Sequence, residues 1–535
     1  MRTRAKAVLC LALAGMAALA VFGVTNIYRA LDTGGGGGGG DEVKTGPPGA
    51  AEVRETARGF LAAWAARRPA AAARLTDHAA EAQPALGAYF SAAKVRKVVL
   101  EPGAAKGTTV PFSVTARVVA GGHARTWTYD SRLTVVRGRT TGRPLVDWDP
   151  SVVHPALARD RRLVTREGES PRAVAVGADG RTLSGEEFPS LAPVLAQLRE
   201  RYAGKLGGTP GIEVLVEDSG GGVVRSLLDV SPGRPAKLPT TLDAGVQEAA
   251  ERAVREHPRA SVVAVRPSTG EILAIANAQG GGEFNGALQG ATAPGSTFKI
   301  ITAAALLAGG VTPETPVSCP RTYAHDQGMT FTNAEGGANE DATFAEDFAQ
   351  SCNTAFVSLS DQLADDELAG TARRWFGLGE DDWHTGVTTF DGSVPAGEGD
   401  EKSAAIIGQG RVQMNPLNMA SVAATVASGG FRQPVLLPRS FHDGALATAE
   451  PLPAPVAADL RRMMELTATH GTAAGLGLGA GAGAKTGSAE VDGQELPDSW
   501  FTAYRGDVAA AAVVPAGGHG SEAAGPVVGQ VLAAG

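Results

Sequence analysis

The spacing of apolar positions changes character several times along this 535-residue chain. Residues 7–24 form an uncharged apolar run of 18 residues behind Arg2, Arg4 and Lys6. That length is just enough to span a bilayer as a helix, and the leading positive charges keep the N-terminus cytoplasmic and the body outside. A cleaved signal peptide is the competing reading, with Ala18-Leu19-Ala20 as the cleavage site; continuation of the apolar run past Ala20 favours an uncleaved anchor. Cys10 comes too early in the run for a lipidation site. Seven glycines at 34–40, followed by Pro47 and Pro48, form a flexible spacer.

From about Glu52 the period becomes helical, with Phe60, Leu61, Trp64 and Leu75 on one apolar face. Alternation at period two follows: Val110, Phe112, Val114, Ala116 and Val118, then Trp127, Tyr129, Ser131, Leu133 and Val135. A short strand at 145–148 is closed by Pro150. Helices followed by antiparallel strands predict a small α+β domain ending near Leu157. Residues 158–237 are rich in glycine and arginine, with short apolar runs at 173–176 and 212–216 and a helix at 191–202.

Downstream the signals sharpen. Asp243 caps a helix running through Val254. Apolar runs at 261–265 and 272–276 flank Pro267-Ser268-Thr269-Gly270, a hairpin signature. Pro294-Gly295 leads into a helix that opens at Ser296 and runs to about Leu307, and helices are predicted at 342–363 and 416–428. Residues 485–489 and 500–504 read as two strands joined by the polar turn at 490–497, followed by a strand at 508–514 and a closing helix at 526–532.

Composition adds limits. Hydrophobic residues are 43% of the chain and charged residues 19%, with a net charge of -8 and only 10 lysines. With no basic stretch beyond the first few residues, nucleic acid is not an expected partner. Cys319 and Cys352 lack Cys-x-x-Cys spacing, the nine histidines show no His-Glu-x-x-His, and no metal or cofactor is expected. The glycine-rich stretch at 475–483 is not a phosphate loop, because Ala484 precedes Lys485.

The chemistry lies in three short motifs. Ser296-Thr297-Phe298-Lys299 puts a serine and a lysine one helical turn apart on one face, so that a single element delivers a nucleophile and its base. Ser351-Cys352-Asn353 follows 55 residues later, and Lys485-Thr486-Gly487-Ser488 begins 132 residues after Asn353. Each motif alone arises by chance, most often on a solvated face. Their order, spacing and predicted placement at a helix start, a turn between helices and a strand carry the information.

The set resembles that of penicillin-binding proteins, specifically membrane-anchored class B D,D-transpeptidases. The resemblance covers about residues 238–535 and includes Phe284-Asn285-Gly286-Ala287-Leu288, Gly408-Gln409-Gly410, Pro416-Leu417, Gly471-Thr472-Ala473 and Trp500-Phe501. Upstream, Phe60, Trp64, the run from Val146 to Ser151 and His154-Pro155 resemble the nuclear-transport-factor-like N-terminal domain of methicillin-resistance-type members. The chain departs from the family at 172–180, where the usual Arg-Gly-x-Ile-x-Asp-Arg-x-Gly element keeps only its two ends.

The resemblance implies a multidomain α+β protein. Its last domain would be a transpeptidase of serine β-lactamase-like fold, an antiparallel sheet flanked by helices with a helical subdomain. The expected boundaries are 1–30 for tail and anchor, 31–48 for the spacer, 49–157 for the nuclear-transport-factor-like domain, 158–237 for a linker or dimerisation-type domain and 238–535 for the transpeptidase. The implied activity is cross-linking of peptidoglycan stem peptides, with β-lactams as inhibitors and cell-wall synthesis proteins as partners, at the cell membrane. Ser296 would be the acylated nucleophile, Lys299 its base, Ser351 the proton relay and Lys485 the second cation. Asn353, Thr486, Gly487 and Ser488 would bind substrate, with backbone N–H groups of Ser296 and Ser488 as the oxyanion hole. Cys319 and Cys352 are either two unrelated thiols or a disulfide tying down the loop that carries Ser351 and Asn353, which an oxidising compartment permits. The alternatives are a β-lactamase, which would lack these N-terminal domains and carry a deacylating glutamate loop, and a β-lactam sensor or a catalytically weak scaffold.

Overall fold

The computed structural model describes residues 44–168, 170–278, 284–324 and 328–535. The predicted anchor at 7–24, the charges ahead of it, Cys10 and the glycine run lie outside the described residues. Among the described residues no helix is long and apolar enough to cross a membrane. The described residues divide into two compact units, one of residues 44–167 and 212–231, the other from 168–211 and 232–535.

In the first unit three helices, Ala50–Ala65, Pro69–Ala73 and Ala79–Ser91, precede a four-stranded antiparallel meander. Its strands are Val95–Pro102, Thr109–Ala120, His123–Arg137 and Pro144–Asp147. The period-two residues behave as their spacing predicts: Val110, Phe112, Val114, Ala116 and Val118 all face the core. Trp64 fills the centre, edge-on to Tyr89 at 5.2 Å and to Phe112 at 6.1 Å. Arg162–Glu167, Ile212–Glu217 and Val223–Ser231 add a second, three-stranded sheet to this unit. Residues 158–237 therefore contribute to both units, because strands Val174–Val176, Thr182–Leu183 and Lys237–Pro239 pair within the second.

The second unit is built on a five-stranded antiparallel sheet. Its strands are β1 (Ser261–Val265), β2 (Ile272–Asn277), β3 (Gly483–Ala489), β4 (Asp498–Arg505) and β5 (Val508–Val514), in the order β2-β1-β5-β4-β3. Nearly every strand residue is buried, because helices cover both faces. Helices α1 (Ala244–Val254) and α2 (Ala524–Ala534) cover the face of Val262, Ala264, Phe501, Ala510 and Ala512. The opposite face, with Val263, Val265, Trp500, Ala509 and Ala511, packs on the helical half, which includes α3 (Lys299–Ala308) and α4 (Pro416–Ser428). Continuous apolar runs of five to eight residues are what a strand buried on both faces requires. Asp243 caps α1 as expected, its carboxylate accepting from Gly245 and Val246 N–H.

One element differs from the prediction in detail, and another gains a finer description. The helix expected to open at Ser296 begins as a 3-10 turn, Gly295–Phe298, and becomes α only at Lys299. The helical region expected over 342–363 is two helices, α5 (Phe344–Gln350) and α6 (Asn353–Ser358), with Ser351 and Cys352 at the turn between them, where the motif was expected. Ser351 caps α5 in the left-handed conformation at φ 62°. A non-glycine residue there costs roughly 1–2 kcal/mol, a local penalty that apolar periodicity cannot reveal.

Candidate functional site

All eight predicted site residues fall in the second unit, on three segments that pack together. The first contact is between the Ser296 turn and edge strand β3. A Cβ on Gly487 would stand 2.9 Å from the Pro294 carbonyl oxygen and 2.9 Å from the Thr297 nitrogen. A Cβ on Gly295, at φ 52°, would stand 2.5 Å from the Ser488 carbonyl oxygen. Only glycine lets the two backbones approach this closely. Ser296 is therefore held against the strand that carries Lys485, Thr486 and Ser488, and it is half-buried.

Ser351 joins the other two segments. Its carbonyl oxygen accepts from Lys299 Nζ at 2.8 Å, and its Oγ accepts from Lys485 Nζ at 2.9 Å. The left-handed turn at Ser351 aims the backbone one way and the hydroxyl the other. Lys299 Nζ also donates to Asn353 Oδ1 at 2.7 Å, and Lys485 Nζ to the Thr486 carbonyl at 3.0 Å. Both lysine side chains are fully buried. Their ammonium groups lie 5.1 Å from the Phe356 ring centre and 5.6 Å from that of Phe348.

Burial of these two amines governs their charge. Lys299 is pushed well below the ordinary lysine range, first by desolvation and then by the positive charge of Lys485; Asp347 pulls the other way. Lys485 is lowered to about 7 by desolvation. Thr486 Oγ1 lies 2.6 Å from Thr472 Oγ1, so the Gly471-Thr472-Ala473 segment braces the strand from below.

The loop between α5 and α6 is stapled twice. Cys319 and Cys352 form a disulfide, the second of the two readings left open by their spacing. Asn333 supplies the other staple. Its Oδ1 accepts from the N–H groups of Asn353 and Thr354 at 2.8 and 3.0 Å, while its Nδ2 donates to the carbonyls of Pro320 and Gly337. Asp347, Cys319 and Cys352 are clustered and buried, but the two sulfurs are bonded to each other. The cluster is thus a covalent staple beside an acid and not a set of metal ligands.

Three contributors escape sequence reading. Asn333 sits 18 residues before Ser351, in a loop with no periodic signal. Asp347 lies in the first turn of α5, where an acid reads as a helix-terminus charge; its carboxyl is buried, one oxygen has no hydrogen-bond partner, and desolvation raises its pKa to about 7. His519 lies 31 residues beyond Ser488 and meets it only because the sheet folds back. A separate cavity of about 480 Å³, lined by Tyr202, Trp383, His384 and His442 among others, contains none of the motif residues.

This architecture has close counterparts. Residues 260–533 match the family described as the penicillin binding protein transpeptidase domain, and residues 52–161 match the NTF2-like N-terminal transpeptidase domain. The chain is 32% identical over 334 residues to the peptidoglycan D,D-transpeptidase PbpA of Mycolicibacterium smegmatis, covering 52% of this chain and 67% of that protein. It is 28% identical over 400 residues to PbpA of Mycobacterium tuberculosis, covering 65% of this chain and 81% of that protein. Among solved structures, penicillin-binding protein A from M. tuberculosis as an imipenem acyl-enzyme complex superposes with a TM-score of 0.51 at 24% identity, covering 78% of this chain and 97% of that one. A chain of a peptidoglycan synthase complex superposes with a TM-score of 0.58 at 23% identity, covering 70% of this chain and 91% of that one.

Proposed function

From its membership of the penicillin-binding protein transpeptidase family, to which this chain belongs, we propose that it is a peptidoglycan D,D-transpeptidase working through an acyl-enzyme on Ser296. The observation that carries the reading is the double role of Ser351, whose carbonyl and hydroxyl engage Lys299 and Lys485. That contact turns three cheap motifs into one proton-handling network.

Ser296 Oγ attacks the carbonyl carbon of a terminal D-Ala-D-Ala bond as Lys299 removes its proton. A lysine can do so only when neutral, and burial beside Lys485 supplies that condition. The departing D-Ala amine takes a proton from Ser351, which Lys485 holds in place and restocks. Thr486 and Ser488, with the charge of Lys485, hold the substrate's carboxylate, Gly487 keeps the strand backbone close beneath, and Asn353 binds the peptide amide. Backbone N–H groups of Ser296 and Ser488 face the developing oxyanion; one such donor is worth roughly 10²–10³ in rate. An amine from a second stem peptide then attacks the acyl carbon, its proton passing back through Ser351 to Lys485 while Lys299 returns the first proton to Ser296 Oγ as the ester breaks, and the cross-link forms. β-Lactams acylate the same serine and inhibit the enzyme.

The predicted anchor at 7–24 would hold this domain at the outer face of the cell membrane, among other cell-wall synthesis proteins. The glycine-rich spacer would give the body its reach from the bilayer. Labelling with a fluorescent penicillin tests the central reading: wild type is expected to label covalently and Ser296→Ala not at all. Labelling that persists in Ser296→Ala would remove Ser296 from its role.

A further inference from the structure

Beyond β5 the chain turns back over the end of β3, and the backbone of this return is fixed at several points. His519 N–H donates to Glu522 Oε2 at 2.8 Å, and the His519 carbonyl accepts from Ser499 Oγ at 2.8 Å. Ser499 stands opposite Ser488 in the β3–β4 register, and its Oγ also accepts from Ala524 N–H at 3.1 Å. Gly520 then touches the β3 backbone, where an added Cβ would stand 2.7 Å from the Gly487 nitrogen. The return is therefore pressed on the strand, and one imidazole is delivered to one hydroxyl: His519 Nδ1 lies 3.3 Å from Ser488 Oγ, with both side chains half-buried.

We propose that His519 is a positioning residue for substrate, setting the direction of the Ser488 hydroxyl and thereby its ability to donate to the terminal carboxylate of a stem peptide or a penicillin. This rests on the reading of Ser488 as a carboxylate ligand. A serine hydroxyl has one proton to give and two lone pairs. When Nδ1 carries a hydrogen, it donates to Ser488 Oγ, and the serine proton points to the incoming carboxylate. When Nδ1 is bare, it accepts a hydrogen bond from the serine O–H, and Ser488 presents only lone pairs to an anion. Imidazole suits the position because its two nitrogens exchange donor and acceptor roles. The carboxylate selects the first arrangement on arrival, so that a contact outside the three motifs tunes recognition of the charged end of the substrate.

The test uses the full chain, with acylation rate constants read by intact mass for benzylpenicillin and for its methyl ester, which lacks the carboxylate. His519→Ala is expected to slow benzylpenicillin about tenfold and the ester less than threefold. His519→Gln, whose amide can still donate, should recover at least a third of the loss. In a Ser488→Ala background, His519→Ala should add less than twofold. Equal slowing of both compounds, an undiminished benzylpenicillin rate in His519→Ala, or full additivity with Ser488→Ala would each overturn the proposal. The Gln variant and the additivity test hold even where Ala perturbs the loop. Failure of wild type to be acylated by either compound would instead overturn the transpeptidase reading itself.

Discussion

Lys485 Nζ donates to Ser351 Oγ at 2.9 Å across 134 residues of sequence. The contact connects an edge strand to the turn between two helices, and it leaves Ser351 as the only hydroxyl of the three motifs with a lysine hydrogen bond among the described residues. Ser351→Ala removes the relay and leaves its backbone contact to Lys299 available. Acylation by benzylpenicillin should fall by about 10²–10⁴, the range for general acid–base steps, while far-UV circular dichroism stays at the wild-type value. A loss below fivefold would place the proton path elsewhere.

Acylation should depend on pH in a two-sided way. Lys299 must be neutral to accept the Ser296 proton, so the rate rises with pH through its lowered pKa. Lys485, at about 7, loses its charge as pH rises through neutrality and with it the attraction for carboxylate. The two amines interact, and the observed limbs belong to the pair. Acylation by benzylpenicillin, measured from pH 5 to 10, should therefore rise and then fall, with the fall near pH 7, and its methyl ester, which keeps the relay but not the carboxylate contact, should show a shallower alkaline fall. A rate that climbs monotonically for both compounds would contradict this.

Asp347 makes a stability prediction with a definite sign. Its folded-state pKa of about 7 exceeds the ordinary aspartate value of 3.8. Between those values the folded state binds more protons than the unfolded chain, so stability falls as pH rises from about 4 to about 7. Asp347→Ala removes the buried charge and should stabilise the protein at pH 8 by on the order of 2 kcal/mol, with little change at pH 4.5. Thermal melts at the two pH values separate the outcomes; an equal shift at both would mean that packing and not ionisation dominates.

The disulfide should contribute through the 33-residue separation of Cys319 and Cys352. Constraining an unfolded loop of that size is worth about 3–4 kcal/mol in the chain-entropy picture. Reduction followed by alkylation should lower the melting temperature and slow acylation together, since the bridge holds the segment next to Ser351 and Asn353. Alkylation of both thiols without prior reductant would refute the bridge.

Much of the fold is legible in the sequence because its pattern is local. Strands β1, β2 and β5 announce themselves as apolar runs, Asp243 announces α1, and Pro416 opens α4 where expected. The three motifs are legible for another reason: the chemistry fixes residue type and spacing within a few positions. What escapes depends on long-range register or local strain. The left-handed conformation that makes the turn at Ser351 leaves no mark in apolar spacing. Asn333 and His519 act through side chains whose partners lie 20 and 31 residues away, and no periodicity links them. Asp347 carries no outward mark of burial because its helix position suits an exposed acid equally well.

The register of the central sheet has a consequence for how the protein is made. Ser261 of β1 pairs with Val513 of β5, so the middle of the sheet unites the beginning and the end of its domain. Every intervening helix must be synthesised before that pairing can form, and the Ser296 turn has no β3 to rest on until Gly483–Ala489 has been made. Folding of such a topology is slow, because distant segments must meet before any contact rewards them. A ribosome stalled after Lys299 and before Gly483 would leave a chain bearing the nucleophile and its lysine but no pocket, a nascent product unable to be poisoned by penicillin.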